Sequence, residues 1–100
     1  MPDDGPRGAW ATPEGWTACP RMSEPFAGMF LASKAPLREQ FYADVPREDW
    51  YTPDDALALA QSKGRAVAMV IDLTNTSRYY DASDFEKYGV RVYKIRCAGR

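Results

Sequence analysis

One stretch of this chain, residues 67–81, changes character abruptly half-way along. It begins with an apolar run of strand length, Val67-Ala68-Met69-Val70-Ile71, and continues with hydroxyl, amide and guanidinium side chains as far as Asp81. A short apolar run followed by a polar loop is typical of a buried strand that ends at the surface. We therefore expect this strand to lie in the core and the polar loop to lie at the edge of a sheet.

Two helices are predicted on either side of this strand. The first begins at Thr52-Pro53-Asp54-Asp55, where a capping hydroxyl, a proline and two acidic residues favour a helix start, and it ends at Gly64. The second has Ser83 as its cap and Glu86 three residues later, which is the pattern of a capping box, and it ends at Gly89 after about two turns.

Two further strands complete the pattern. Phe26–Leu31 is a short apolar run in which Gly28 permits a bulge, and Val90–Ile95 alternates as a half-buried strand does. The order strand, helix, strand, helix, strand predicts an α/β domain with a parallel sheet of three strands and two short crossover helices. Two helices cover at most one face of such a sheet, whereas parallel sheets are normally covered on both faces, so we expect an incomplete fold.

The segments outside these elements differ in their expected order. Residues 1–14 are rich in proline, glycine and aspartate, and we expect a disordered leader there, followed by a domain over residues 15–100. The long irregular segment Lys34–Tyr51 needs side chains that fix it to the core. Five large apolar residues of that segment are candidates for this role: Phe41, Tyr42, Val45, Trp50 and Tyr51.

Composition excludes several classes of function. A net charge of -1 predicts no strong attraction to nucleic acid or anionic membranes, and no apolar run is long enough to span a bilayer. Histidine is absent, which removes histidine acid–base chemistry and, with two cysteines, argues against a zinc site. The acidic N-terminus does not resemble a secretory signal, so we expect a soluble intracellular protein in which Cys19 and Cys97 are reduced.

Neither cysteine has the spacing that phosphatase chemistry requires. A cysteine phosphatase needs Cys, five residues and then Arg, because the intervening amides and the guanidinium surround the phosphoryl oxygens and stabilise the thiolate. Pro25 stands six positions after Cys19, and six positions after Cys97 lies beyond Arg100. No glycine-rich phosphate loop occurs either. We therefore assign no catalytic residue, no metal ligand and no cofactor within these residues.

Polar side chains at the carboxyl end of the central strand are the candidate binding residues, because ligands of open α/β sheets bind beyond the carboxyl ends of the strands. The polar side chains expected there are Asp72, Thr74, Asn75, Thr76, Ser77 and Arg78, and the candidate binding residues among them are Asp72, Asn75, Thr76 and Arg78. They would form one wall of an anion pocket in which Arg78 binds phosphate. The alternative is that these polar groups satisfy the backbone of a turn and that Arg78 pairs with an acid.

The same stretch resembles a known family. Val70–Asp81, with the sequence V-I-D-L-T-N-T-S-R-Y-Y-D, is similar to the RNA 5′-triphosphatase domain of metazoan- and plant-type mRNA-capping enzymes, a branch of the cysteine-phosphatase superfamily. The resemblance covers nearly everything from about Glu14 onward. Other matching positions lie on both sides of the stretch: Gly15-Trp16, Cys19-Pro20, Ser33-Lys34, Pro36-Leu37, Asp84–Gly89, Lys94-Ile95 and Cys97-Ala98-Gly99-Arg100.

The resemblance implies the N-terminal portion of a protein-tyrosine-phosphatase-like fold. It also implies removal of the γ-phosphate from 5′-triphosphate RNA through a cysteinyl-phosphate, without a metal. In the family that step depends on a His-Cys-five residues-Arg-Ser/Thr loop, which these residues do not contain, so we expect them to be inactive alone. The resemblance carries over only the pocket wall, Asp72 and Arg78, and it matches Cys97 to a cysteine that is not the nucleophile.

Further expectations follow from the same resemblance. The expected partners are 5′-triphosphate RNA and a guanylyltransferase domain in the full-length protein, the expected location is the nucleus, and no membrane association is expected. Two alternatives remain open. One is a non-catalytic module that binds RNA ends or a protein, and the other is a relative of the dual-specificity phosphatases that acts on other phosphorylated substrates.

Overall fold

The computed structural model of the chain describes residues 12–97. Two short 3-10 helices come first, Glu39–Tyr42 and Arg47–Asp49. They are followed by helix α1 (Pro53–Ser62), strand β1 (Met69–Asp72), helix α2 (Ser83–Glu86) and strand β2 (Arg91–Lys94). β1 and β2 pair in parallel and are connected through α2. The predicted α/β class is confirmed, although the sheet has two strands in the described part of the chain rather than three.

The prediction of a strand at Phe26–Leu31 is wrong. The run folds back on itself instead, and the N–H groups of Phe26 and Phe30 each donate to the carbonyl oxygen of the other residue at 2.9 Å. Ala27 and Gly28 have φ angles of 52° and 79°, and Met29 N–H donates to Phe26 O at 3.2 Å. Two successive residues with positive φ reverse the chain in a tight turn, so the run cannot continue as a strand.

Helix α1 begins as predicted. Thr52 Oγ1 accepts a hydrogen bond from Asp55 N–H at 3.3 Å, and Asp55 Oδ2 accepts one from Thr52 N–H at 3.0 Å. Each side chain thus satisfies a backbone donor that has no partner inside the helix. Gly64, with φ of 81°, follows the last turn and takes the left-handed conformation that suits glycine after a helix.

Helix α2 begins at Ser83 but not with the predicted cap. Asp81 takes that role, because its Oδ1 accepts Ser83 N–H at 3.1 Å and its own N–H donates to Asp84 Oδ2 at 3.1 Å. Ala82 already has helical backbone angles, so Ser83 lies inside the first turn and its hydroxyl caps nothing. The helix ends at Glu86 after one turn, which is shorter than predicted.

An aromatic core anchors the irregular segment, as predicted. The buried members of this cluster are Trp16, Leu37, Phe41, Tyr42, Tyr51 and Ala56, and Val45 and Trp50 pack against them. The Tyr42 hydroxyl donates to Tyr51 O at 2.7 Å and accepts Tyr51 N–H at 3.0 Å. The buried backbone groups of Tyr51 are therefore hydrogen-bonded although Tyr51 lies in no strand. Burial raises the pKa of Tyr42 to about 12, so this hydroxyl remains a donor at neutral pH.

One face of the sheet packs on a second cluster, formed by Tyr80, Phe85 and Val90 with Val70 and Val92 of the strands. Tyr79 packs against both clusters. The opposite face carries apolar side chains that are 46% to 55% exposed, namely Met69, Ile71, Leu73, Tyr93 and Ile95. The expectation of a fully buried central strand is therefore wrong. A sheet covered on one face agrees with the prediction from the number of helices.

The remaining predictions concern the start of the chain and the cysteines. Residues 1–11 of the predicted leader lie outside the described residues, whereas Thr12 Oγ1 donates to Phe41 O at 2.8 Å. Cys19 and Cys97 are exposed and are not joined in a disulfide, and their reduced state stays a prediction. Within residues 12–97, no helix is long and apolar enough to cross a membrane.

Candidate functional site

The carboxyl ends of the two strands lie side by side. The parallel register pairs Asp72, the last residue of β1, with Lys94, the last residue of β2. Residues 73–81, here called the β1 loop, leave the sheet at this edge and lead into α2. Polar groups from both strand ends and from the loop therefore meet at one edge of the sheet, where open α/β sheets bind their ligands.

Asp72 is the centre of a hydrogen-bond network at this edge. Its Oδ1 accepts the Thr74 N–H at 2.8 Å and the Thr74 hydroxyl at 2.7 Å, and its Oδ2 accepts the hydroxyl of Tyr80. Both carboxylate oxygens are thus engaged, and the side chain is 8% exposed. Asp72 holds the β1 loop closed rather than presenting a free carboxylate to a ligand.

The network sets the protonation states of its members. Burial alone would raise the pKa of Asp72, but the hydrogen bonds from Tyr80 and Thr74 and the charge of Lys94 outweigh it and hold that pKa below the usual value. Burial and the neighbouring carboxylate raise the pKa of Tyr80 far above its usual value. At neutral pH Asp72 is ionised and Tyr80 is protonated, so Asp72 is not poised to donate a proton.

Lys94 joins the second strand to this network. Its Nζ lies 3.3 Å from Asp72 Oδ1, donates to Thr74 Oγ1 at 2.7 Å and donates to the carbonyl oxygen of Thr76. Lys94 thus makes two hydrogen bonds and one ion pair within the network. Sequence reasoning did not single out Lys94 as a site residue. Its position at the end of a neighbouring parallel strand was the signal that could have found it.

The other predicted site residues take different positions. Thr76 Oγ1 accepts the Arg78 N–H at 3.2 Å, so Thr76 shapes the loop. Asn75 is exposed. Arg78 is partly buried, and its Nε is a buried donor without a hydrogen-bond partner. The alternative that polar groups satisfy the turn describes Asp72 and Thr76, but none of the ion pairs among the described residues pairs Arg78 with an acid.

A cavity of about 600 Å³ opens beside the network. Its lining residues are Asp72, Ser77, Tyr80, Ala82, Val92, Lys94 and Arg96. Asp72 belongs to both the predicted site and this lining, whereas Asn75, Thr76 and Arg78 do not line the cavity. Ligand pockets of proteins commonly have volumes of about 300–1,000 Å³, so this cavity has room for a small ligand or for the end of a larger one.

Neither Cys19 nor Cys97 lines the cavity. In the part of the chain that the structure describes, no group of three or more His, Cys, Asp or Glu side chains is close enough together to hold a metal ion. The chemistry that the edge offers is therefore that of cationic and hydroxyl donors around an engaged carboxylate, which suits the binding of an anion.

Comparison with known proteins identifies relatives over most of the chain. No protein-family model matches the chain. The mRNA-capping enzymes of Mus musculus and Danio rerio are each 37% identical to it over 87 residues, which is 87% of this chain but 15% and 14% of those enzymes. The putative tyrosine-protein phosphatase 1 of Orgyia pseudotsugata multicapsid polyhedrosis virus is 38% identical over 92 residues, covering 88% of this chain and 39% of the viral protein.

The chain belongs to the capping-enzyme triphosphatase and cysteine-phosphatase family. A further relative in this family is the RNA/RNP complex-1-interacting phosphatase homolog of Caenorhabditis elegans, which is 31% identical over 90 residues and of which the chain spans 39%. The resemblance predicted from Val70–Asp81 is confirmed. The chain spans about one seventh of the length of the capping enzymes that it matches.

Proposed function

We propose that this segment forms the phosphate-binding wall of an RNA 5′-triphosphatase of the cysteine-phosphatase type. The observation that carries the proposal is the buried Nε of Arg78, which has no acceptor among the described residues. A buried donor without a partner costs about 1–3 kcal/mol, and more when it belongs to a charged group. A phosphate that binds the guanidinium places an opposite charge beside this buried donor and offsets part of that cost, and phosphate matches the guanidinium fork.

The four predicted wall residues then have two kinds of role. Asp72 and Thr76 position the β1 loop, since their polar atoms are engaged by Tyr80, Lys94 and the backbone. Arg78 and the exposed Asn75 contact the phosphate end of the RNA. This division follows from which donors the loop itself leaves unused.

The wall does not supply the covalent step. In a cysteinyl-phosphate route a thiolate attacks the γ-phosphorus, the β-phosphate leaves, and water then hydrolyses the phosphocysteine. The hundred residues contain no Cys-five residues-Arg sequence, so we propose that they do not catalyse this step by themselves. We further propose, from the capping-enzyme relatives, that a guanylyltransferase domain accompanies this segment in the full-length protein and that the protein acts in the nucleus.

Phosphate release tests the catalytic part of the proposal. The 100-residue chain is incubated with 5′-triphosphate RNA in the presence of a metal chelator, beside a capping enzyme as the positive control. We expect phosphate release at the level of the buffer blank. Robust turnover by the chain would overturn the proposal that these residues are inactive alone.

A non-catalytic module that binds RNA ends or a protein is the second candidate, because the described residues present anion donors without a nucleophile. Filter binding distinguishes the candidates when one RNA is compared with a 5′-triphosphate and with a 5′-hydroxyl end. A clear preference for the triphosphate supports phosphate recognition. Equal, weak binding of both RNAs leaves a protein partner as the better explanation.

Relatives named as tyrosine phosphatases favour a third candidate, in which the wall faces a phosphorylated substrate other than RNA. A phosphotyrosine peptide is the direct competitor for this test. If it displaces triphosphate RNA at comparable concentrations, the wall recognises phosphoryl groups without preference for RNA. If it does not, the RNA substrate is supported.

A further inference from the structure

A second pair of anion donors lies in the cavity, apart from Arg78. Arg96 Nη2 donates to Ser77 Oγ at 2.8 Å, and both side chains line the cavity. Both residues are exposed, and none of the ion pairs among residues 12–97 involves Arg96. Nothing in the comparisons or in the sequence motif assigns a role to this pair.

Most of the side-chain donors that remain unused in the cavity belong to this pair. Lys94 also lines the cavity, but it donates to Thr74 and Thr76 and forms an ion pair with Asp72. The Arg96 guanidinium has five N–H donors, of which one has an acceptor among the described residues. The Ser77 hydroxyl accepts that bond and keeps its own hydrogen for another acceptor.

The charge of the lining favours the same kind of ligand. Among the described lining residues Asp72 is the one acid, and Lys94 at 3.3 Å compensates that charge while Tyr80 donates to it. Arg96 then gives these residues a net charge of +1, counting Lys94 and Arg96 against Asp72. An oxyanion beside Arg96 can therefore accept hydrogen bonds from Arg96 and Ser77. The charge of the one neighbouring carboxylate among the described lining residues, Asp72, is compensated by Lys94.

We propose that Arg96 and Ser77 form a second phosphate subsite, which binds one phosphoryl group of a polyphosphate while Arg78 binds another. Ser77 and Arg78 are consecutive residues of the β1 loop, so one loop carries both anchors. Arg78 does not line the cavity that Ser77 and Arg96 line, so a ligand that engages both anchors needs more than one phosphoryl group, which makes a di- or triphosphate the ligand class. This inference rests on the proposed function for the role of Arg78, whereas the Arg96 subsite is tested without RNA.

The test is calorimetric titration of the full chain with sodium tripolyphosphate, pyrophosphate and orthophosphate. Arg96→Gln is the test variant, and Arg91→Gln is the matched control. Arg91 lies at the other end of β2, is exposed and also donates to a hydroxyl, that of Tyr93 at 3.2 Å. Ser77→Ala is the second variant, because it removes the hydroxyl while keeping the charge of Arg96.

We expect tripolyphosphate to bind more tightly than orthophosphate. Arg96→Gln should weaken tripolyphosphate binding about tenfold, which is the effect of losing one charge-assisted contact. Ser77→Ala should weaken it by a smaller factor, and Arg91→Gln should leave it unchanged. Equal losses in the Arg96 and Arg91 variants would mean general charge attraction and would overturn the proposal, as would undiminished binding by Arg96→Gln.

Failure of the subsite and failure of the proposed function give different results. If tripolyphosphate binding depends on Arg96 while triphosphate and hydroxyl RNA bind alike, the subsite stands and the RNA function falls. If triphosphate RNA is preferred while Arg96→Gln changes neither RNA nor tripolyphosphate binding, the RNA function stands and the subsite falls.

Discussion

Tyr80 donates its hydroxyl to Asp72 Oδ2 across eight residues of chain, and its ring packs edge-on against Phe85 with ring centroids 5.3 Å apart. One side chain therefore belongs both to the polar edge of the sheet and to the apolar cluster beneath it. The geometry of the candidate site and the stability of the fold are linked through this residue. Changes at Tyr80 should be visible in both.

Removing the Tyr80 hydroxyl tests this link. Tyr80→Phe keeps the ring but leaves a buried carboxylate oxygen without its donor, so we expect the free energy of unfolding at pH 7 to fall by about 1.5–3 kcal/mol. Urea denaturation measures the change. Tyr88→Phe is the control, because Tyr88 is exposed, and it should have little effect. Equal effects of the two variants would contradict the role given to the hydroxyl.

The same pair predicts a dependence on pH. The pKa of Asp72 is lower in the folded state than its ordinary value of 3.8. Its stabilising contribution is therefore complete above pH 3.8 and is lost as the pH falls through the lower folded pKa. The difference in unfolding free energy between wild type and Tyr80→Phe should shrink as urea titrations are moved from pH 7 to below pH 3.8. A difference that stays constant would argue against an ionised Asp72.

Lys94 offers an independent test of the network. Lys94→Met removes the ammonium that compensates Asp72 and fastens Thr76, so we expect the pKa of Asp72 to rise and the β1 loop to lose protection in hydrogen exchange. NMR titration of the Asp72 carboxyl carbon measures the first effect. Lys87→Met is the control, since Lys87 is exposed and makes no ion pair among the described residues. An unchanged Asp72 pKa would contradict the account of Lys94.

Local sequence signals predicted helices α1 and α2 and strands β1 and β2, but they did not predict the two 3-10 helices or all turns. The capping of α1 by Thr52 depends on neighbours within one turn, which the sequence displays directly. The run at Phe26 failed because an apolar segment with one glycine suits either a strand or a reversal. The reversal requires a positive φ at Ala27, and alanine rarely adopts such a φ, so the sequence does not predict it.

The site shows the same division between local and distant information. Asp72 was predicted because it ends an apolar run, and the contribution of Thr76 follows from its place in the next turn. Lys94 and Arg96 act on the loop from the neighbouring strand and the residues after it, through contacts 18 to 20 residues apart in sequence. Such contacts depend on the parallel register, which no single segment encodes.

The turn that replaced the predicted strand can be tested with two opposite substitutions. Ala27 pays a steric cost at φ of 52°, so Ala27→Gly should raise the free energy of unfolding by about 0.5 kcal/mol, allowing for the greater freedom of glycine when unfolded. Gly28→Ala at φ of 79° should lower it by about 1 kcal/mol. Urea denaturation of both variants checks the signs. Two changes of the same sign would argue against the turn.

The cap of helix α2 can also be tested with two substitutions, one at Asp81 and one at Ser83. Asp81→Ala removes the acceptor for Ser83 N–H and should cost about 1 kcal/mol of stability, as loss of a helix cap does. Ser83→Ala should cost less, because the Ser83 hydroxyl caps no backbone group and only hydrogen-bonds the Asp81 carboxylate. If urea denaturation shows the larger loss for Ser83→Ala, the capping box expected from the sequence is the correct one.

The binding of RNA ends by Arg78→Gln tests the central claim most directly. Fluorescence anisotropy compares a 5′-triphosphate RNA with its 5′-hydroxyl form, using wild type, Arg78→Gln and the exposed Arg65→Gln as a charge-matched control. We expect the preference of wild type for the triphosphate to fall about tenfold or more in Arg78→Gln and to persist in Arg65→Gln, with the unfolding free energy of the Arg78 variant not reduced. An undiminished preference in Arg78→Gln would contradict the account.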